Sequence, residues 1–365
     1  MRNKIIWCLT FLYSVSAFGW TKENKLSGLG LEILMNGVGK ARLGSSGAVA
    51  SNPALLAWIS KRQQFISTNQ INFYGLKTED GTNIDVNPDV TPLYAVTTQG
   101  FGDWGHGYGL TASDTKLAYS LTNGDKISSG VQENQELGLN YALGYKLSPL
   151  FALGLGVYAS RIQEALNSSS ISDEAGNRYV ISVNEKSSVW VQGFSLGLAG
   201  RYEAWDYGLS TKFSTITYMP SRESVQTGYL ESVNSTYRIK DQSIPPLTMV
   251  SSVSGGVRTK VKDVHLLVDV DWLPGVYSAD MEEDMGNQMM FAVGVEGPIT
   301  ERYKWYSGVR HQTPGQGDSG SNTVSLGASK RNTHSMNFAG LAWLKEGRKN
   351  GSHVFMFNFG TMFDY

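Results

Sequence analysis

The fold this sequence predicts is all-β: a transmembrane antiparallel β-barrel of about fourteen strands, preceded by a small N-terminal plug, or hatch. Three observations predict it. Apolar and polar side chains alternate at period two along most of the chain, the connections alternate between short and long, and the last residues read HVFMFNFGTMFDY. In that final stretch Phe355, Phe357, Phe359, Phe363 and Tyr365 share one side of an extended chain, because successive strand residues point to opposite faces. A terminus of that kind is expected to close a barrel with its aromatic face on lipid.

Composition agrees. The chain has 365 residues, with 31 Lys+Arg against 32 Asp+Glu, so it lacks the basic footprint of a nucleic-acid binder. Its 41 glycines, 18 tyrosines and 9 tryptophans at only 41% apolar residues suit strands that face lipid on one side and a lumen on the other.

The N-terminus carries Arg2 and Lys4, then the apolar run IIWCLTFLYSVSAFG. This is the pattern of a secretory signal peptide over residues 1–19, with cleavage after Gly19 or, as the alternative, after Ala17. Cys8 is the only cysteine and lies inside it, so the mature chain is expected to hold together without disulfides. After residue 19 no stretch approaches the roughly 18 apolar residues of a spanning helix. A helix-free membrane protein must be a closed barrel, since lipid offers no partner to unpaired backbone groups.

Residues 20–62 break the strand pattern and are expected to form the hatch. Asn52 before Pro53 suits a helix start, with Asn52 as the cap. The barrel is expected over 63–365, with strands near 63–77, 90–99, 104–113, 133–146, 150–164, 187–201, 205–218, 244–259, 262–274, 288–297, 302–311, 322–330, 334–345 and 352–365. KLSPL, EAWD, TKVKD and GPITER read as short periplasmic turns; 114–132, 165–186 and 219–243 read as long extracellular loops. In 263–272 the residues Val264, Leu266, Val268, Val270 and Trp272 oppose Asp263, His265, Asp269 and Asp271. Such carboxylates cannot enter a dry core unpaired, so they are expected to face a lumen. Lys146, Lys212 and Arg310 are expected to point inward too, either holding a ligand's carboxylate or pairing with other charges and the hatch.

The Gly-rich lead, the segment GAVASNPALL and a fourteen-stranded barrel ending on an aromatic resemble the FadL family of outer-membrane transporters. The Asn-Pro-Ala motif of that family's hatch falls here on Asn52, Pro53 and Ala54. The segment LGLNYALGYKLSPLFALGLGVYASRI is similar to the family's fourth and fifth strands. The resemblance implies passive uptake of hydrophobic molecules, with long-chain fatty acids the type substrate, captured in the extracellular loops and released sideways through the wall. It also implies a wall opening at a kink of the third strand, where Gly105, Gly107 and Gly109 share one face; small residues making room for the plug are the alternative reading. The terminal aromatic resembles the signal read by the barrel assembly machinery. A monomer in outer-membrane lipid, with a fatty-acid-like ligand and without cofactor or metal, is the expected state. A general or polar-solute porin, or a purely structural barrel, is the competing function. No HExxH, GxSxG, CxxC or phosphate-loop pattern occurs, so no enzyme is expected.

Overall fold

A computed structural model describes residues 34–35, 38–77, 83–86, 89–91, 94–123, 126–174, 177–216, 221–230, 235–241, 249–274, 276–278, 283–285, 287–314, 320–346 and 352–365. The leader read over 1–19 and the first part of the expected hatch lie outside the described residues.

The chain forms a closed antiparallel barrel of 14 strands. They are β1 Gln63–Lys77, β2 in the pieces Asn83–Val86, Asp89–Thr91 and Tyr94–Phe101, β3 Trp104–Asn123, β4 Lys126–Ser148, β5 Phe151–Glu174 and β6 Asn177–Tyr202. Next come β7 (Trp205–Ile216 and Ser221–Leu230) and β8 (Ser235–Asp241 and Met249–Val261). Both pieces of β7 run along β6, first beside Tyr202–Val191 and then beside Ser188–Tyr179. The shorter β9 Val264–Leu273, β10 Gln288–Pro298, β11 Tyr303–Gln312, β12 Ser321–Arg331, β13 Ser335–Glu346 and β14 His353–Asp364 complete the wall. β14 pairs with β1 from Gln63↔Asp364 to Gly75↔His353, so the sheet has no edge at this seam.

Period two is visible as rungs. Val257, Val268, Val293, Val309, Val324, Trp343, Phe355 and Phe73 are successive cross-strand partners around eight strands. Val309 and Phe355 are 52% and 46% exposed. Such a continuous apolar girdle would be costly in water and is neutral against acyl chains. The next rung faces inward and reads Gly256, Asp269, Ala292, Arg310, Thr323, Leu344 and Val354.

One expectation is corrected. The segments 114–132 and 165–186, and much of 219–243, are not loops but continued ladder: β3 to β6 run for 20, 23, 24 and 26 residues. A tilted strand needs only about 9–11 residues to cross the bilayer. The remainder stands outside the lipid as a polar wall on one side of the rim. In NSSSISDE small polar residues occupy both strand phases, so the segment shows no apolar alternation and reads as loop. Only backbone pairing keeps it extended.

Candidate functional site

The lumen holds the described residues of the hatch, 34–35 and 38–62. Two 3₁₀ turns build its described core, Ser46–Val49 and Pro53–Trp58. Pro53 presets the first position, and Asn52 caps the turn by accepting from the Ala54 N–H at 3.2 Å. The same amide donates to the Lys40 carbonyl at 3.2 Å and to the Leu198 carbonyl of β6 at 3.0 Å. Asn52 is 0% exposed, so each of its polar atoms is matched where water is absent. Asn52, Pro53 and Ala54, grouped in sequence by their motif, therefore fasten the hatch to the wall.

The wall receives the hatch on a row of glycines. Gly100, Gly105, Gly144, Gly154 and Gly197 are cross-strand neighbours on β2 to β6, and all face inward. A Cβ on Gly144 would stand 2.7 Å from the Pro53 carbonyl oxygen. On Gly105, Gly154 and Gly197 it would collide with the Leu56 carbonyl, the Ala54 amide and the Asn52 side chain. Across the lumen the pairs Gly294↔Gly308 and Gly327↔Gly340 admit Met35 and Leu34 in the same way. The 3₁₀ backbone thus lies directly on strand backbone, closer than any side chain would allow.

Gly107 and Gly109 lie on the same inward phase as Gly105, with Val49 against them. From Trp104 to Thr111 β3 is paired on both edges without a shift in register. The weaker point of the wall is farther out. Asp89–Thr91 pairs with β1 through Gln70–Asn72 but, among the described residues, has no ladder partner on β3. In the sequence Pro88 and Pro92 flank it, and a proline has no N–H to give.

Charge ties the other side of the hatch to the wall. Asp269 of β9 accepts from the Gly39 and Lys40 N–H groups at 2.7 and 2.9 Å, and the Lys40 ammonium lies 3.5 Å from Asp271. Nearer the short turns, Arg42 meets Glu296 of β10 at 2.9 Å. Arg258 of β8 bridges Glu296 at 3.0 Å and Asp206 of β7 at 3.1 Å, and Arg201 of β6 closes on Asp206 at 2.6 Å. His265 stands 3.8 Å from Glu296. The inward aspartates at 269 and 271 were legible in the strand pattern. Arg42, Glu296, Arg258 and Asp206 were not singled out, although the last three fall on the inward phase beside short turns, which is the signal that would find them.

The other sequence-selected cations are dispersed. Lys146 points to the hatch and sits 5.9 Å from the Trp58 ring centroid. Arg310 is 8% exposed and packs its guanidinium on the Met290 sulfur. Lys212, on β7, acts on Asp271 together with Arg310. The inward polar residues Thr98, Ser210, Ser254, Gln312, Ser325 and Asn358 are all buried. At the level of the hatch the lumen is packed.

Residues 117–304, more than half of the chain, match the family model described as the type IX secretion system membrane protein PorP/SprF. Among curated proteins no sequence matches this chain. Solved structures similar to it include the Ralstonia pickettii toluene transporter TbuX, at a TM-score of 0.68 and 12% identity over 93% of this chain and 99% of that one. A Pseudomonas putida toluene transporter, TodX, gives 0.65 and 11% over 92% and 98%. A Pseudomonas aeruginosa FadL homologue gives 0.63 and 13% over 91% and 97%. At these identities the likeness is one of fold.

Proposed function

This chain belongs to the PorP/SprF family of type IX secretion system membrane proteins, and from that premise we propose that it is a sealed outer-membrane barrel serving that system rather than an open pore. Its place is the bacterial outer membrane. The observation that carries the reading is the packed lumen: the hatch rests on wall glycines and its charges are matched by Glu296, Asp269 and Asp271. What such a barrel offers is surface. The extended strands β3 to β6 raise a polar wall on the outer side, and the hatch closes the inner mouth. It works as a monomer, delivered by the barrel assembly machinery through its terminal aromatic strand.

Liposome swelling tests this. Vesicles carrying the full mature chain are expected to swell in small sugars no faster than empty ones, and swelling at porin rates would refute the sealed lumen. Deleting the gene is expected to stop export by the type IX system, and unchanged export would refute its service there.

A second reading, uptake of hydrophobic molecules with long-chain fatty acids as the finest form, is favoured by one feature. The stretch at Asp89–Thr91, which among the described residues has no ladder partner on β3, is where an apolar molecule could leave sideways. Lys212 or Arg310 would then hold the carboxylate by a charge-assisted bond. Lys212→Ala is expected to weaken fatty-acid binding about tenfold with barrel yield unchanged, the scale of one charged hydrogen bond. An unchanged affinity removes this reading of Lys212. Mass spectrometry of small molecules carried through purification would name the ligand.

A further inference from the structure

The rim formed by the short turns is electrically lopsided. On one arc, from the β8–β9 turn through β10–β11 and β12–β13 to the start of β1, stand the exposed cations Lys61, Arg62, Lys262, Arg302 and Lys330. The exposed carboxylates of those turns are Asp263 and Glu301, and Asp364 is taken by Arg331 at 3.4 Å. The opposite arc, made by the β2–β3, β4–β5 and β6–β7 turns, presents Phe101, Leu147, Leu150, Tyr202 and Trp205 instead. Of its cations, the half-buried Lys146 turns to Trp58 of the hatch and Arg201 pairs with Asp206.

Two of the exposed cations lean on aromatic rings at strand ends. The Lys330 ammonium lies 5.7 Å from the Tyr303 ring centroid, on a rung where the two residues are cross-strand partners. The Arg62 guanidinium lies 6.0 Å from the Tyr365 ring centroid. Tyr303 and Tyr365 are 40% and 68% exposed, and Lys330 follows Val324, Leu326 and Ala328 on the outward phase of β12. Tyrosines in that position mark the boundary between acyl chains and headgroups. A cation backed by such a ring extends its charge into the headgroup layer while its stem stays on apolar surface.

We propose that this arc binds the phosphates of inner-leaflet anionic glycerophospholipids, so that the barrel gathers them along one side only. The location argues for lipid over a soluble acidic partner. Lys330 and Arg62 sit at the outward ends of strands beside the exposed rings of Tyr303 and Tyr365, with Lys61, Lys262 and Arg302 exposed in the neighbouring turns, whereas a protein approaching from the periplasm would meet the mouth and hatch first. The proposal does not depend on what the barrel does for secretion.

The full mature chain in nanodiscs of phosphatidylcholine with a minor share of phosphatidylglycerol tests it, with retained lipid read by native mass spectrometry. Phosphatidylglycerol is expected to be enriched about fivefold over its bulk share, the factor one engaged cation supplies at a membrane surface. The combined variant Arg62→Gln, Lys262→Gln, Arg302→Gln, Lys330→Gln should return it to the bulk share, as should high salt. Lys186→Gln, on the exposed outer extension, should leave it unchanged. Absence of enrichment in the unaltered chain overturns the proposal, as does enrichment that survives the combined variant. Loss of an acidic periplasmic protein from pull-downs of that variant, with no lipid preference in either form, would assign the arc to a protein and overturn it too.

Discussion

Gly154→Val is expected to unseat the hatch. The new Cβ would meet the Ala54 amide and the Pro53 carbonyl carbon, and neither can retreat. Pro53 is fixed at the start of its turn, and Asn52 is held by Lys40 and Leu198. The strand cannot retreat either, because Gly154 is locked between Gly144 and Gly197 in the ladder. Overpacking of this kind costs about 1–3 kcal/mol where neighbours can adjust, and more where the obstacle is backbone. The variant should fold in poor yield, or give a barrel that conducts ions and small sugars because the turn Pro53–Trp58 no longer lies on the wall. Gel mobility before and after heating, with single-channel recording, separates these outcomes. Gly255→Val is the control. It lies on the outward phase of β8, its nearest side-chain neighbour is the Leu209 Cδ1 at 3.7 Å, and a valine there should be neutral. Normal yield and a silent channel for Gly154→Val would mean that the glycine row does not seat the hatch.

Glu296→Ala carries the second large effect. The carboxylate is 2% exposed and receives Arg42 from the hatch and Arg258 from β8. Removing it takes the carboxylate from Arg42 and leaves Arg258 to share Asp206 with Arg201. Breaking a buried pair from one side costs about 3–5 kcal/mol, mostly because the partners stay buried and uncompensated. Urea unfolding in detergent should show that loss, and Glu296→Gln, which keeps an acceptor, should lose less. Replacing Arg42, Arg258 and Glu296 together by Met, Met and Leu should recover most of it, since no charge is then stranded. Arg42 links two separate bodies, so its share of the loss should appear as a double-mutant coupling with Glu296. A cost for Glu296→Ala below about 1 kcal/mol would show that water reaches the cluster and that it does not hold the hatch.

The strands that carry function were legible where one face meets lipid and the other does not. In 263–272 the valine and leucine rungs and the opposed aspartates fixed both the strand and its orientation, because a register slip of one residue would put Asp269 into lipid. The same rule failed at NSSSISDE and QENQE. There β4 and β5 remain strands, but small or polar residues fill both phases and leave no apolar alternation to show it. The cap at Asn52 was legible as a helix start, although the turn that follows is 3₁₀ and six residues long. Gly105, Gly107 and Gly109 were visible as a small-residue face, but sequence offers no way to choose between a gap in the wall and a seat for the plug.

Local periodicity, by itself, determined that this chain is a lipid-spanning barrel closed by an aromatic strand, because alternation is a property of neighbouring residues along one strand. Only the tertiary structure decided that Gly100, Gly105, Gly144, Gly154 and Gly197 form one row, and that Arg42 reaches a carboxylate 254 positions away. Those arrangements depend on how strands are staggered around the wall, and stagger is set by pairing between distant segments that no local pattern records.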